Sequence, residues 1–152
     1  MSLTEKIYNK FKKTCMVNKL ERPECILSLR DISKPYTFID LDLSGSPLGP
    51  NDIRCDFLVF IDNVEGIPCV APLEFKSTWR GKIVKQLQAG AKEIENHVPP
   101  ELECSFRAVG VLGNFPRNKR REIRQRVSFR NQDQPIRIIY CGDPLIEAIL
   151  TA

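Results

Sequence analysis

Metal-thiolate and secreted folds need features that this chain barely has. It contains one histidine, His97, and no C-x-x-C pair. A structural zinc site needs four close Cys or His ligands, and Cys15, Cys25, Cys55, Cys69, Cys104 and Cys141 are too scattered to supply them. No apolar run approaches membrane-spanning length. The opening stretch, M-S-L-T-E-K-I-Y-N-K-F-K-K, lacks the continuous apolar segment of a secretory signal. These absences predict an intracellular protein in the reducing cytoplasm with no membrane partner. Its cysteines are then expected to be free thiols that pack as small hydrophobes. There are no internal repeats and no low-complexity tail.

With 152 residues, 42% hydrophobic and 28% charged, the chain has the composition of one globular domain, residues 1–152. The net charge of +4 is unevenly spread. Residues 117–130 hold seven basic side chains and one acidic, a local +6 that leaves the remainder at −2. That asymmetry points to a polyanionic partner met at one face.

Ser2-Leu3-Thr4-Glu5 is a capping box, and Leu3, Ile7, Phe11 and Cys15 recur on one helical face, predicting a helix over about 3–17. Residues 18–35 carry no decisive pattern. Tyr36 to Leu43 alternates as a half-buried strand. Residues 44–54, rich in glycine, proline and small polar residues, read as a surface loop. Two apolar strands follow, at about 55–62 and 69–76. Ser77 or Thr78 is then expected to cap a helix over about 80–97 with an Ile83, Leu87, Ala91, Ile94, Val98 stripe, stopped by Pro99-Pro100. Further strands are expected at 103–113 and 135–141, and Asp143-Pro144 opens a short last helix. The first three strands connect as antiparallel neighbours and the helical crossover makes the next one parallel. The predicted fold is α/β, a central mixed sheet flanked by helices.

The central hairpin is apolar except for Asp56, Glu74 and Lys76. A turn centred near Glu65 opposes residues summing to about 130, so Asp56 faces Glu74 at a Cβ separation of ~5 Å. The strand period of two adds Lys76 to the same face. Two carboxylates at ~5 Å repel by roughly 3 kcal/mol at an effective dielectric of about 20, and apolar neighbours worsen their desolvation. Lys76 offsets part of this. A hard divalent ion such as Mg²⁺, bound by carboxylates, water and a substrate phosphate, offsets more. It would also acidify a bound water and polarise a phosphoryl oxygen, with Lys76 steadying the charge that develops. The plainer alternative is a solvated cross-strand ion pair. Against it, this is the chain's one [D/E]-x-K, and it closes an otherwise apolar strand.

An Asp on one strand, [D/E]-x-K on the next and a following helix with glutamine resembles the PD-(D/E)XK nuclease superfamily, which includes restriction and homing endonucleases, Holliday junction resolvases and repair nucleases. Its restriction-endonuclease-like αβββαβ core corresponds to residues 3–113. The resemblance implies Asp56 and Glu74 as Mg²⁺ ligands, with Mn²⁺ as a substitute. It implies the Phe75 carbonyl as a further ligand, Lys76 as the catalytic lysine, and Gln86 as the supporting helix residue with Gln88 as rival. Cys55 stands where the motif has proline. Asp52 competes with Asp56 as first acid, and Glu5, Glu21 and Glu24 compete as first-helix acids. Asp40 and Asp42 lie on a neighbouring strand.

Arg117, Lys119, Arg120, Arg121, Arg124, Arg126 and Arg130, in an insertion at about 114–132, form the expected nucleic-acid-binding segment. Such side chains contact phosphates with salt-dependent affinity, and arginine adds bidentate contacts. Trp79 and Arg80 are further candidates for substrate contact or packing. His97 is expected to serve the helix C-terminus. Together these readings predict a Mg²⁺-dependent DNA endonuclease, a phosphodiester hydrolase acting as a dimer or higher oligomer on specific duplex sites. A junction resolvase of the same superfamily, a non-catalytic nucleic-acid-binding module on the same fold and an interaction domain with a solvated basic loop are the rivals.

Overall fold

The computed structural model describes residues 2–49, 51–64, 66–113 and 122–150. In chain order the elements are α1 (Leu3–Lys10), a 3-10 turn (Lys13–Cys15), β1 (Met16–Val17), β2 (Glu21–Arg22), β3 (Cys25–Ile26), β4 (Tyr36–Asp40), β5 (Phe57–Val64) and β6 (Ile67–Lys76). They continue with α2 (Lys82–His97), β7 (Ser105–Phe106), β8 (Ala108–Leu112), β9 (Glu122–Phe129), β10 (Gln132–Tyr140) and α3 (Leu145–Leu150). The main sheet runs β1-β4-β5-β6-β8-β10-β9, with β7 alongside β6. β4 and β6 each pair antiparallel with β5 between them, β6 pairs β8 in parallel across the α2 crossover, and β10 continues the parallel order. The chain is a mixed α/β domain on one large mixed sheet. No helix among the described residues is long and apolar enough to cross a membrane.

The hairpin register holds as expected from Phe57↔Leu73 to Ile61↔Cys69 and slips near the turn, where Val64 pairs Ile67. Side chains alternate between two cores. One lies under α1 and α2 and includes Leu58, Phe60, Val70, Ile83 and Leu87. The other, on the opposite face, includes Phe57, Val59, Leu73, Phe75 and α3 residues. β4 is therefore covered on both sides rather than half-buried: Thr37 through Asp40 are all buried.

Several boundaries differ from expectation for identifiable reasons. Ser2 Oγ caps α1 by accepting from Glu5 N–H, yet the helix ends at Lys10, with Phe11 extended. The 3-10 turn still delivers Cys15 to the core, so the i, i+4 apolar spacing is met without a continuous helix. α2 starts at Lys82 with Gly81 as its N-cap and no side-chain cap, so neither Ser77 nor Thr78 caps it. The expected strand over 103–113 is split at Arg107. Arg107 N–H donates to the Val70 carbonyl at 3.0 Å, and the next ladder donor would be the amide of residue 72, which is proline. Gly90 brings α2 close to the sheet. A Cβ there would lie 2.5 Å from Cys55 Sγ and 2.6 Å from Pro72 Cβ.

The cysteine reading needs correction. Cys25 and Cys141 form a disulfide, with Cα atoms 5.1 Å apart and a sequence separation of 116. Cys15, Cys55, Cys69 and Cys104 take no part in a disulfide. The bridge ties the β2–β3 hairpin to the end of β10. Nothing local in the sequence announces it, because spacing does not determine connectivity.

Candidate active site

The site lies at the end of the sheet where β5 begins and β6 ends. Alternation slips there: Cys55 and Phe57, two residues apart, belong to opposite cores. Asp56 stands between them at the joint. Its backbone N–H donates to the Leu73 carbonyl at 3.0 Å, so Asp56 and Phe57 both oppose Leu73 and the expected direct Asp56–Glu74 pairing is replaced by a one-residue slip. Its side chain accepts from Phe75 N–H through Oδ2 at 2.8 Å and from Arg22 Nε through Oδ1 at 3.0 Å. Asp56 therefore reaches the β6 backbone and both faces of the sheet end.

On the α2 face stands Glu74, whose side chain is 3% exposed, with Lys76 Nζ 3.1 Å from its Oε2. Burial first, and then the neighbouring Asp56 charge, push the Glu74 carboxyl up to about 7 against the lowering effect of Lys76. The same burial, with Glu74 and Asp56 beside it, pushes the Cys55 thiol up, so Cys55 remains a neutral thiol and a poor ligand. Asp56, Glu74 and Lys76 thus converge as the sequence predicts.

α2 supplies the third element. Ile83 packs toward Gly110, which pairs with Glu74, and Gly90 packs on Cys55 and Pro72. Gln86 lies between these two contacts on the same helical face. Its Oε1 is buried and accepts no hydrogen bond from the described residues. Gln88 is spent elsewhere: its amide donates to the Ser128 carbonyl at 2.9 Å and accepts from Ser128 N–H at 2.8 Å, which pins β9 to α2. Of the two glutamines, Gln86 is the one aimed at this end of the sheet without a partner.

On the opposite face Arg22 gathers three carboxylates. Its Nη1 and Nη2 donate to the two Asp40 oxygens at 3.0 Å each, Nη2 also reaches Asp42 Oδ2 at 3.1 Å, and Nε holds Asp56. The guanidinium lies 4.2 Å over the Phe57 ring. Burial by itself lowers the Arg22 pKa, and Asp40 and Asp56 overcome this to push it up. Arg22 lies in the segment that the sequence left unread. The one available signal was indirect: Asp40, Asp42 and Asp56 together needed a counter-ion.

The other candidates fall outside this cluster. Asp52 folds back on its own loop, accepting from Gly49 N–H. Glu5, Glu21 and Glu24 are exposed. Trp79 packs partly buried against the core. His97 ends α2, with Nδ1 2.8 Å from the Glu93 carbonyl, and stacks against Phe11. Asp62, unremarked in the sequence, is buried and receives Thr4 N–H and Oγ1 at 3.1 and 2.7 Å, which locks α1 to β5. In the basic stretch, Arg124 and Arg126 are exposed on β9. Arg130 instead donates to the Leu102 and Pro99 carbonyls at 2.7 and 2.9 Å, so its guanidinium is occupied by the fold. Arg117, Lys119, Arg120 and Arg121 lie outside the described residues.

Among the described residues no group of three or more His, Cys, Asp or Glu side chains is arranged to hold a metal. The donor set on hand is two carboxylates, the Phe75 carbonyl and the orphaned Gln86 Oε1. All are hard oxygens, and Glu74 is left short of positive charge. That set fits an ion such as Mg²⁺, which keeps several waters and takes one or two carboxylates. A cleft of about 250 Å³ opens beside Lys76, between the tip of the β2–β3 hairpin and Ser77 and Gly113.

Compared with known proteins, the chain matches no family model, no curated protein and no solved structure.

Proposed function

We propose that this chain is a metal-dependent DNA endonuclease of the PD-(D/E)XK type. The reading rests on one observation above all: the Asp56 carboxylate meets buried Glu74, which is bonded to Lys76, under a helix whose Gln86 oxygen has no partner. The element order α1, β4, β5, β6, α2, β8 is the αβββαβ order of that superfamily's core. Asp56, Glu74, the Phe75 carbonyl and Gln86 would hold Mg²⁺ or Mn²⁺. When bound, the ion supplies Lewis-acid polarisation of a phosphoryl oxygen and a more acidic water. Lys76 contributes a positive charge beside the attacked phosphate, aimed at negative charge that grows in the transition state. Exposed Arg124 and Arg126 extend the cationic surface toward the phosphate backbone. The preferred substrate is duplex DNA cut at specific sites, by a dimer or higher oligomer that presents two such sites.

The test is plasmid nicking with and without Mg²⁺, alongside Glu74→Ala and Lys76→Ala. Nicking that requires Mg²⁺ and disappears in both variants is expected, and equal activity in all three proteins rejects the proposal. Comparing linear duplex, four-way junction and single strand separates a site-specific endonuclease from a resolvase. One observation favours a second reading, a non-catalytic nucleic-acid-binding module: both Asp56 oxygens already have protein donors. That reading predicts DNA binding that is metal-independent and survives Glu74→Ala.

A further inference from the structure

Arg22 makes contacts out of proportion to the element that carries it. The β2–β3 hairpin pairs only Glu21↔Ile26 and Arg22↔Cys25, too little to hold itself together in water. The chain fixes it from outside. The Cys25–Cys141 bridge ties it to β10, Gly142 N–H donates to the Ile26 carbonyl, and Leu27 N–H donates to the Leu20 carbonyl. So anchored, it delivers one guanidinium to carboxylates from two other segments: Asp40 and Asp42 at the end of β4, and Asp56 at the start of β5. The fork takes both Asp40 oxygens, which fixes the plane of the guanidinium and with it the direction of Nε toward Asp56.

We propose that Arg22 is a positioning residue: it fixes the Asp56 carboxylate so that Oδ2 meets Phe75 N–H and the group stays turned toward Glu74. This deepens the nuclease reading and rests on it for its functional consequence. Without Arg22, Asp56 loses its charged donor and keeps the Phe75 amide as its backbone anchor. Residues that orient a metal ligand from outside typically change metal affinity by about 10–100-fold.

The test uses the full chain, oxidised, as wild type, Arg22→Gln and Arg22→Lys. The lysine variant keeps the charge but has no fork to engage Asp40 and Asp56 together, so it is expected to fold like wild type while still losing the orientation. Amide hydrogen exchange at Phe75 is expected to accelerate by about tenfold in both variants, with Val59 and Val70 in the same hairpin unchanged. Mn²⁺ affinity, measured by calorimetry, is expected to fall by about 10–100-fold. DNA nicking is expected to lose kcat with KM for DNA kept within about twofold. Unchanged Phe75 exchange in either folded variant overturns the assignment, as does Mn²⁺ affinity equal to that of a metal-binding wild type. A wild type that binds no Mn²⁺ sinks the nuclease reading instead, and the Phe75 amide alone then decides the role of Arg22.

Discussion

The two carboxylates of the site sit side by side and are treated in opposite ways. Asp56, on the Arg22 side, has a donor on each oxygen, one charged and one from the backbone. Glu74, on the α2 side, is more deeply buried and has Lys76 as its bonded cation, and its carboxyl rises to about 7. Charge on the first is matched by a network assembled from distant segments. Charge on the second is left unbalanced beneath a helix that offers a bare amide oxygen. The contrast shows that burial does not by itself decide whether a carboxylate is at ease. The number and charge of its donors decide that, and the under-served member of a pair is where a cation gains most.

The largest expected effect comes from cutting the Arg22 side loose. Cys141→Ser opens a loop of 116 residues and is expected to destabilise the chain by about 4–5 kcal/mol on the chain-entropy account. Thermal unfolding of the oxidised wild type against the variant measures this. A loss under about 1 kcal/mol would show that the backbone bonds around Ile26 and Ser28 hold the hairpin alone. Next is the Glu74 side. Lys76→Ala is expected to lower nicking by about 10²–10³-fold while leaving the unfolding temperature near that of wild type. A variant that cuts at the wild-type rate removes Lys76 from the chemistry.

The pH dependence of stability isolates Glu74. Below about pH 4.5 its carboxyl is protonated in folded and unfolded chains alike. Between about 4.5 and 7 the folded chain holds the extra proton, so stability falls as pH rises, and the loss is complete above about 7. The metal-free protein is expected to lose about 3 kcal/mol across that window, and Glu74→Gln is expected to remove this component. Denaturant melts from pH 4 to 8 compare the two proteins, and an identical pH slope contradicts the assignment. The smallest effect separates the helix glutamines. Gln88→Ala is expected to cost about 1–2 kcal/mol by orphaning the Ser128 backbone with no change in nicking per folded molecule. Gln86→Ala is expected to do the reverse, and parallel melts and nicking assays distinguish them.

Much of the frame was legible because it rests on local rules. The strand period and the turn near Glu65 placed Leu58 opposite Pro72 and Phe60 opposite Val70, as observed. The helical crossover predicted the parallel β6–β8 pair. The exceptions have local causes seen only in context. Pro72 breaks the partner strand at Arg107 rather than its own, because the missing donor is felt across the ladder. Arg130 reads as one of a cationic run until the Pro99 and Leu102 carbonyls claim it. Resemblance alone prefers Gln86 to Gln88, and the physical difference between them, that Gln88 is bonded to the Ser128 backbone, comes only with the docking of α2.

The sequence by itself determined the β5–β6 hairpin, its register from Phe57 to Ile61 and the pairing of Glu74 with Lys76, since a period of two and a turn are enough to align neighbours along one ribbon. Only the tertiary structure decided that Arg22 holds Asp40, Asp42 and Asp56, that Cys25 is bonded to Cys141, and that Glu74 is the carboxylate left short of charge. Those outcomes depend on burial and on partners 18 to 116 residues away. Local periodicity carries no information about which distant segment closes over a given side chain.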